Sequence, residues 1–336
     1  MMTDTTDTRF PDIIGQTAAK RRLNFYLDGH EKTSVLPHLM FVAQKGGGKT
    51  TLAKATARKL RQSDDPTKPK EFLEINCSTI KNVKQFFNQV IIPHVHQQEI
   101  TVLFDEASEL PKDVEMALLT ICNPNPDHWN TFSFEDYVVD FDFRRQSFMF
   151  ATTEAQSIFH ALMDRCERVD LEEYSHNELG RIVQLNRPDV VFDHGLLDEI
   201  ATVLRGNARA AQKMAGNIQS YLGTRSSFTV ADWNELKYAL GILPLGLTRI
   251  ELQILNVLQR KPNGASLTFL AANTGLTTEC IRRDFEMFLQ KQGLMEISRG
   301  GRKITSKGQT YLKELPSESP PPKAKPVRIE LDLEGK

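Results

Sequence analysis

A chain of 336 residues and 38.1 kDa exceeds what one compact core usually carries, so it is not a single small binding module, and about two to three domains are expected. With 40% hydrophobic and 25% charged residues it has the composition of an ordinary soluble globular protein, which rules out wholesale disorder. Forty-two basic residues against 43 acidic leave a net charge of −1, so any nucleic-acid surface must be a local patch.

After a polar leader, apolar spacing from Ala18 to Leu27 predicts a helix, and residues 36–43 predict a short buried strand running into glycines. Helical spacing resumes in TLAKATARKL from Thr51. Residues 99–104 and 147–151 are two further core-strand candidates with helical stretches between them. Strands that alternate with helices imply an α/β fold with a mostly parallel, doubly wound sheet, here assigned to residues 1–170. Residues 171–243 read as helices with no convincing strand, a helical second domain ending at PLGLT (244–248). Helical patterns at 249–259, 267–272 and 277–292, followed by the two-strand candidate LMEISRGGRKITS, describe a winged helix over 244–313. From 314 to 336 the chain reads as a disordered tail, with Pro316, Pro320, Pro321, Pro322 and Pro326 among polar residues. Within the tail, Val327, Ile329, Leu331 and Leu333 alternate as a strand added to a partner's sheet would. Cysteines 77, 122, 166 and 280 are too widely spaced for a zinc pattern or a dense disulfide framework and read as reduced core thiols. The start lacks the parts of a secretory signal and no apolar run is long enough to span a bilayer, so a cytoplasmic chain without a membrane anchor is expected.

The segment Ala43-Gln44-Lys45-Gly46-Gly47-Gly48-Lys49-Thr50 fits a phosphate loop between a strand and a helix. Backbone N–H groups of Gly46, Gly47 and Gly48 and of the helix start at Thr50 and Thr51 would converge on phosphate oxygens of a nucleotide. Lys49 would reach the β- and γ-phosphates, and the Thr50 hydroxyl would ligate Mg²⁺. The strand VLF delivers Asp105 and Glu106 at its carboxyl end, where α/β sheets bind ligands. Asp105 suits the Mg²⁺ site, and Glu106 suits orienting or deprotonating the attacking water. The strand ending in Ala151 brings the hydroxyls of Thr152 and Thr153 to the same sheet edge, where a polar group positions that water. Arg165 and Arg209 each stand in a polar setting suited to phosphate contact.

The order of these motifs resembles the AAA+ ATPases, and within them the RuvB-type motors that drive Holliday-junction branch migration, over roughly residues 10–312. FPDIIGQ at 10–16 looks like the family's N-terminal motif, which implies that Ile13 and Ile14 help hold the adenine. AQKGGGKTTLA and LFDEASEL look like Walker A and Walker B, and FMFATTEAQ looks like sensor 1. DRC at 164–166 occupies the place of the arginine finger, which implies that Arg165 acts on ATP bound by the neighbouring subunit; RGNARAA at 205–211 looks like sensor 2 and points to Arg209. The proline and first glycine usual in the family's Walker A are replaced by Ala43, Gln44 and Lys45. The resemblance implies an AAA+ P-loop core, a helical lid and a winged helix. It also implies ATP and Mg²⁺ as cofactors, a homo-oligomeric ring of about six subunits, double-stranded DNA or Holliday junctions as partner, and a RuvA-like junction-binding protein.

Residues 124–143 form a long insert that resembles the family's presensor hairpin. Its Trp129, Phe132, Phe134, Tyr137 and Val139 lie largely at alternating positions, as in a hairpin, either offering Trp129, Phe132 and Phe134 to a partner or packing on their own domain. From Thr248 to Lys313, eleven basic residues face five acidic, a net of +6 in a chain whose remainder carries −7. Arg299, Arg302 and Lys303 in the wing and Arg282 and Arg283 on the recognition helix are the candidate phosphate contacts, unless the winged helix docks a protein instead. Two alternatives to a DNA motor stay open: a clamp-loader-like ATPase that assembles a partner on DNA, and an ATP-controlled DNA-binding switch.

Overall fold

The structure is a computed structural model that describes residues 9–135, 137–158 and 160–315. Residues before 9 and after 315, with the alternating segment at 327–333, lie outside the described residues, while Glu314, expected in the tail, ends a helix. The chain divides into two compact units, one comprising residues up to Leu185 together with Gly206–Lys213, the other Asn186–Arg205 and the residues from Met214. The division therefore falls at 185/186 rather than at the expected 170/171, and a short piece of the lid segment belongs with the ATPase unit.

In chain order the first unit carries β1 (Leu39–Val42), β2 (Glu71–Asn76), β3 (Ile100–Asp105), the hairpin β4 (Trp129–Phe134) and β5 (Tyr137–Asp142), β6 (Gln146–Thr152) and β7 (Glu167–Asp170). Five of these form a parallel sheet in the order β2-β3-β6-β1-β7. β6 is buried at every position and β3 at all but Asp105, as strands covered on both faces by helices must be. The period of two along β6 sends Phe148 and Phe150 into a core with Phe86, Phe87, Phe104 and Phe141, and Met149 and Ala151 into a second core with Leu23, Leu27, Phe41 and Leu52. The helix Thr17–Thr33 supplies Leu23 and Leu27 to that second core. β2 and β7 were not anticipated; they lie at the sheet edges, where EFLEIN and ERVD bury only Ile75 and Val169. Among the described residues no single helix is long and apolar enough to cross a membrane.

In the second unit two short parallel strands, β8 (Val191–Phe192) and β9 (Ser227–Phe228), join the helical segment, and Trp233 is buried with its Nε1 donating to Glu199 Oε1 at 2.8 Å. The C-terminal module has helices Arg249–Gln259 and Leu267–Thr274, a helical run over residues 278–291, and the hairpin β10 (Met295–Ser298) and β11 (Gly301–Ile304). A further helix, Ser306–Glu314, follows the wing. Thr248, Ser266, Thr277 and Thr305 each accept a backbone N–H at a helix start, which explains why the helices begin where they do.

Candidate nucleotide-binding site and DNA-facing module

The phosphate loop leaves β1 and enters the helix Lys49–Ala57. Gly46 and Gly48 hold φ of +79° and +93°, the left-handed region open to glycine. A Cβ on Gly46 would lie 2.1 Å from Asn207 Oδ1, so a larger residue there would also have to push the Asn207 amide aside. Lys49 is buried, and its ammonium donates to the carbonyls of Ala43 (3.0 Å) and Gln44 (3.3 Å). Burial pulls its pKa below the usual lysine value; Asp105 opposes that shift, while the positive Arg209 adds to it.

Thr50 Oγ1 donates to Asp105 Oδ2 at 2.9 Å, which joins the phosphate loop to the end of β3. A hydroxyl and one carboxylate are the sparse oxygen set that Mg²⁺ uses when phosphates and water complete its shell. Among the described residues no group of three or more His, Cys, Asp or Glu side chains forms a separate metal cage. Glu106, exposed beside Asp105, has φ of +56°, uncommon for a side chain of its size, and its N–H donates to Asp105 Oδ1 at 3.0 Å. Thr152 is buried and its hydroxyl accepts the Glu154 N–H at 3.0 Å, so of the two sensor candidates Thr153 is the exposed one. Ile13 and Ile14 are half-buried, Ile13 against the core that contains Leu23 and Phe41. Thr51 is exposed at the helix start.

Arg209 reaches this place because its backbone N–H donates to Gly46 O at 3.4 Å at the start of the helix Ala208–Leu222. Two residues of the site were missed in the sequence. Asn207 caps that helix, with Oδ1 accepting the Ala210 N–H at 3.2 Å, and its Nδ2 donates to Lys45 O at 3.2 Å. An Asn before a helical run is a recognisable cap signal. Gln16, buried with φ of +57°, pairs both amide atoms with the backbone of Glu172, at 2.8 and 2.9 Å, and nothing local in the sequence announces it. Arg165 lies elsewhere: its guanidinium donates to Ala161 O at 2.6 Å and Asn123 Oδ1 at 3.0 Å, and none of these bonds reaches the phosphate loop of its own chain.

The hairpin assigns its aromatics differently from the partner reading. Alternation along β4 turns Phe132 and Phe134 inward, where they stack on Phe87 with centroids 5.1 and 4.5 Å away, and leaves Trp129 on the other face, 43% exposed. Phe132 and Phe134, half-buried, therefore pack against the domain core, and Trp129 alone of the three stands outward. In the C-terminal module Arg282 and Arg299 are exposed, Lys303 is half-buried, and Arg283 is exposed but paired with Asp284 at 2.9 Å. Arg302 departs from its expected role. It forks onto the buried Glu286 with contacts of 3.1 to 3.2 Å, because a carboxylate on the recognition helix must be compensated once the wing covers it.

Residues 39–174 match the family model of the ATPase family associated with various cellular activities (AAA), and residues 244–313 match that of the RuvB C-terminal winged helix domain. The chain is a RuvB-type AAA protein. It is 25% identical over 328 residues to the Holliday junction branch migration complex subunit RuvB of Bifidobacterium longum (strain NCC 2705), covering 91% of this chain and 86% of that one. To the same-named subunit of Ehrlichia canis (strain Jake) it is 23% identical over 324 residues, covering 90% and 91%. The solved Thermotoga maritima RuvB Holliday junction branch migration motor shares the fold, with a TM-score of 0.70 at 21% identity over 89% of this chain and 95% of that one. In this RuvB-type chain the AAA match spans the phosphate loop, Asp105, Glu106 and Arg165, and the winged-helix match spans every candidate DNA cation.

Proposed function

We propose that this chain is an ATP-driven motor that works as a homo-oligomeric ring, of about six subunits by the family expectation, on double-stranded DNA and Holliday junctions. The observation that carries the reading is the Thr50–Asp105 hydrogen bond beside the buried Lys49, all at the carboxyl edge of the sheet. Thr50 and Asp105 would hold Mg²⁺, whose charge offsets that of the phosphates. Gly46, Gly47 and Gly48 present N–H groups to phosphate oxygens, and Lys49 exchanges its carbonyl partners for them. Glu106 orients the attacking water and accepts its proton, with Thr153 beside it. Arg209 meets the phosphates from the same chain, Arg165 from the neighbouring subunit. Arg282, Arg299 and Lys303 grip the duplex backbone without reading sequence. Trp129 offers an exposed anchor to a RuvA-like junction-binding partner.

The test compares Lys49→Ala and Glu106→Gln with the unaltered protein on a synthetic four-way junction. Lys49→Ala should lose nucleotide binding. Glu106→Gln should retain ATP and lose hydrolysis by at least about 100-fold, the size of a missing general base. Turnover at the unaltered rate by either variant sinks the site assignment. Vigorous DNA-stimulated hydrolysis without junction migration, with a junction-binding protein present, would favour a loader over a motor.

A further inference from the structure

Arg205 carries a φ of +55°, and Gly206 after it +69°, so the backbone makes a left-handed reversal at a residue whose side chain is long and charged. What holds it there is visible at the guanidinium. Nε donates to the carbonyl of Gly246 at 2.8 Å, Nη2 donates to the same carbonyl, Nη1 donates to Glu251 Oε1 at 3.0 Å, and Nη2 also meets Glu251 Oε2. Its planar face lies 3.9 Å from the centroid of the Phe288 ring. Four donor contacts and a stacked face use almost everything an arginine offers.

Each partner is a structural fixture of the DNA-facing module. Glu251 is fully buried and closes the capping box of the helix Arg249–Gln259, where its Oε2 also accepts from Thr248 N at 2.7 Å and Thr248 Oγ1 at 2.9 Å. Gly246 belongs to the segment that reads in the sequence as a domain boundary, yet a Cβ there would lie 2.2 Å from Val203 O, so the segment is clamped and not slack. Tyr311 from the last helix donates to Pro244 O at 2.9 Å and fixes the same segment from the other end of the module. Phe288 sits on the helical run that also carries Arg282 and Arg283.

The chain leaves this cluster and returns to the ATPase unit between Arg205 and Gly206. Asn207, two residues on, donates to Lys45 O, and Arg209 N–H reaches Gly46 O. Two residues span no more than about 7 Å of chain, which leaves no slack to absorb a movement of the 207–209 segment. We infer that Arg205 is the positioning residue that couples the nucleotide site to the DNA-binding module. It turns a change in the Asn207–phosphate-loop contacts into a displacement of the interdomain loop, of the helix Arg249–Gln259 and of the recognition helix. The inference rests on the motor reading above.

Coupling is a ratio of affinities and is reciprocal between the two ligands. The experiment measures duplex DNA affinity with and without a slowly hydrolysed ATP analogue, and analogue affinity with and without DNA, in the full-length protein and in Arg205→Lys. Lysine keeps a charge for Glu251 but lacks the planar fork and the stacked face. DNA-free ATPase activity should stay within about twofold and DNA affinity without nucleotide within about threefold. The nucleotide-dependent change in DNA affinity, and its reciprocal, should fall by about fivefold or more. A merely structural role would weaken binding in both nucleotide states alike and leave the ratio intact, which would overturn the proposal. If Arg205→Lys does not fold, Glu251→Gln, which keeps the side chain's shape, is read in the same way. An unaltered protein whose DNA affinity ignores the nucleotide would instead defeat the motor reading, and the coupling with it.

Discussion

Removing Arg302 should damage the fold of the winged helix more than it damages DNA contact. The Arg302 and Glu286 side chains are 18% and 6% exposed, with an N–O separation of 3.1 Å. Coulomb's law at an effective dielectric of about 20 makes the gross attraction about 5 kcal/mol. Truncating one partner strands the other as a buried charge, and such losses run at about 3 to 5 kcal/mol. Arg302→Ala should therefore lower the denaturation midpoint of the second unit strongly, followed by circular dichroism in urea. The pair Arg302→Met with Glu286→Leu removes both charges at similar volume, leaves the net charge unchanged, and should return stability to within about 1 kcal/mol of the original. DNA binding by that double variant, measured by fluorescence anisotropy across a salt series, should stay within about threefold with an unchanged salt slope, because no phosphate contact is lost. Arg299→Ala should do the reverse, leaving stability within about 0.5 kcal/mol and reducing the salt slope by about one. A stable Arg302→Ala that loses affinity and salt slope as Arg299→Ala does would refute the assignment and restore Arg302 as a phosphate contact.

The hairpin separates in the same manner: Phe132→Ala should cost about 2 kcal/mol or more through its lost stack on Phe87, seen as a lowered melting temperature. Trp129→Ala should leave the melting temperature nearly unchanged and weaken capture of a junction-binding partner. Burial pushes His38, and burial with Lys70 and Arg61 pushes His30, down to about 4 from the ordinary 6.5. Between those values the unfolded chain binds protons that the folded chain refuses, so stability is whole above pH 6.5 and falls as pH drops toward 4, by up to about 3 kcal/mol for each histidine. Urea midpoints from pH 7 to 4 check this, and His38→Phe should flatten the slope; an equal slope in the variant would contradict it. Arg165→Ala should lose hydrolysis alone and regain it when mixed with Lys49→Ala, since each variant supplies what its neighbour lacks; no recovery on mixing would place Arg165 outside any shared site.

What was legible in the sequence follows from how locally each feature is encoded. β1, β3 and β6 are buried on both faces and each carries an apolar run (LMFV, VLF and FMFA), whereas β2 and β7 mix charges with a single buried residue and look like loops. The Walker elements are contiguous strings whose chemistry needs neighbours in sequence. Gln16 and Glu172, 156 residues apart, meet only in the fold, and so do Asn207 and Lys45, 162 apart. Counting charge found the basic module but could not see that Arg302 faces Glu286, because a count records cations and not their partners. Alternation in the insert placed the aromatics on one hairpin without saying which face is inward; Phe87, far back in the chain, decides that.

The departure of the phosphate loop from its family pattern is answered by the atoms those positions use. Ala43 and Gln44 contribute carbonyls to the Lys49 ammonium, and Lys45 contributes a carbonyl to Asn207. The side chains of Gln44 and Lys45 are exposed, and the Ala43 methyl lies 3.0 Å from where a Cβ on Gly47 would stand. Backbone oxygens are supplied equally by any residue that can adopt the loop's shape, so replacing the usual glycine and proline leaves the hydrogen-bonding frame of the loop in place. The positions held to glycine are Gly46 and Gly48, where the left-handed φ strains any residue that carries a Cβ, and these are the positions the chain keeps.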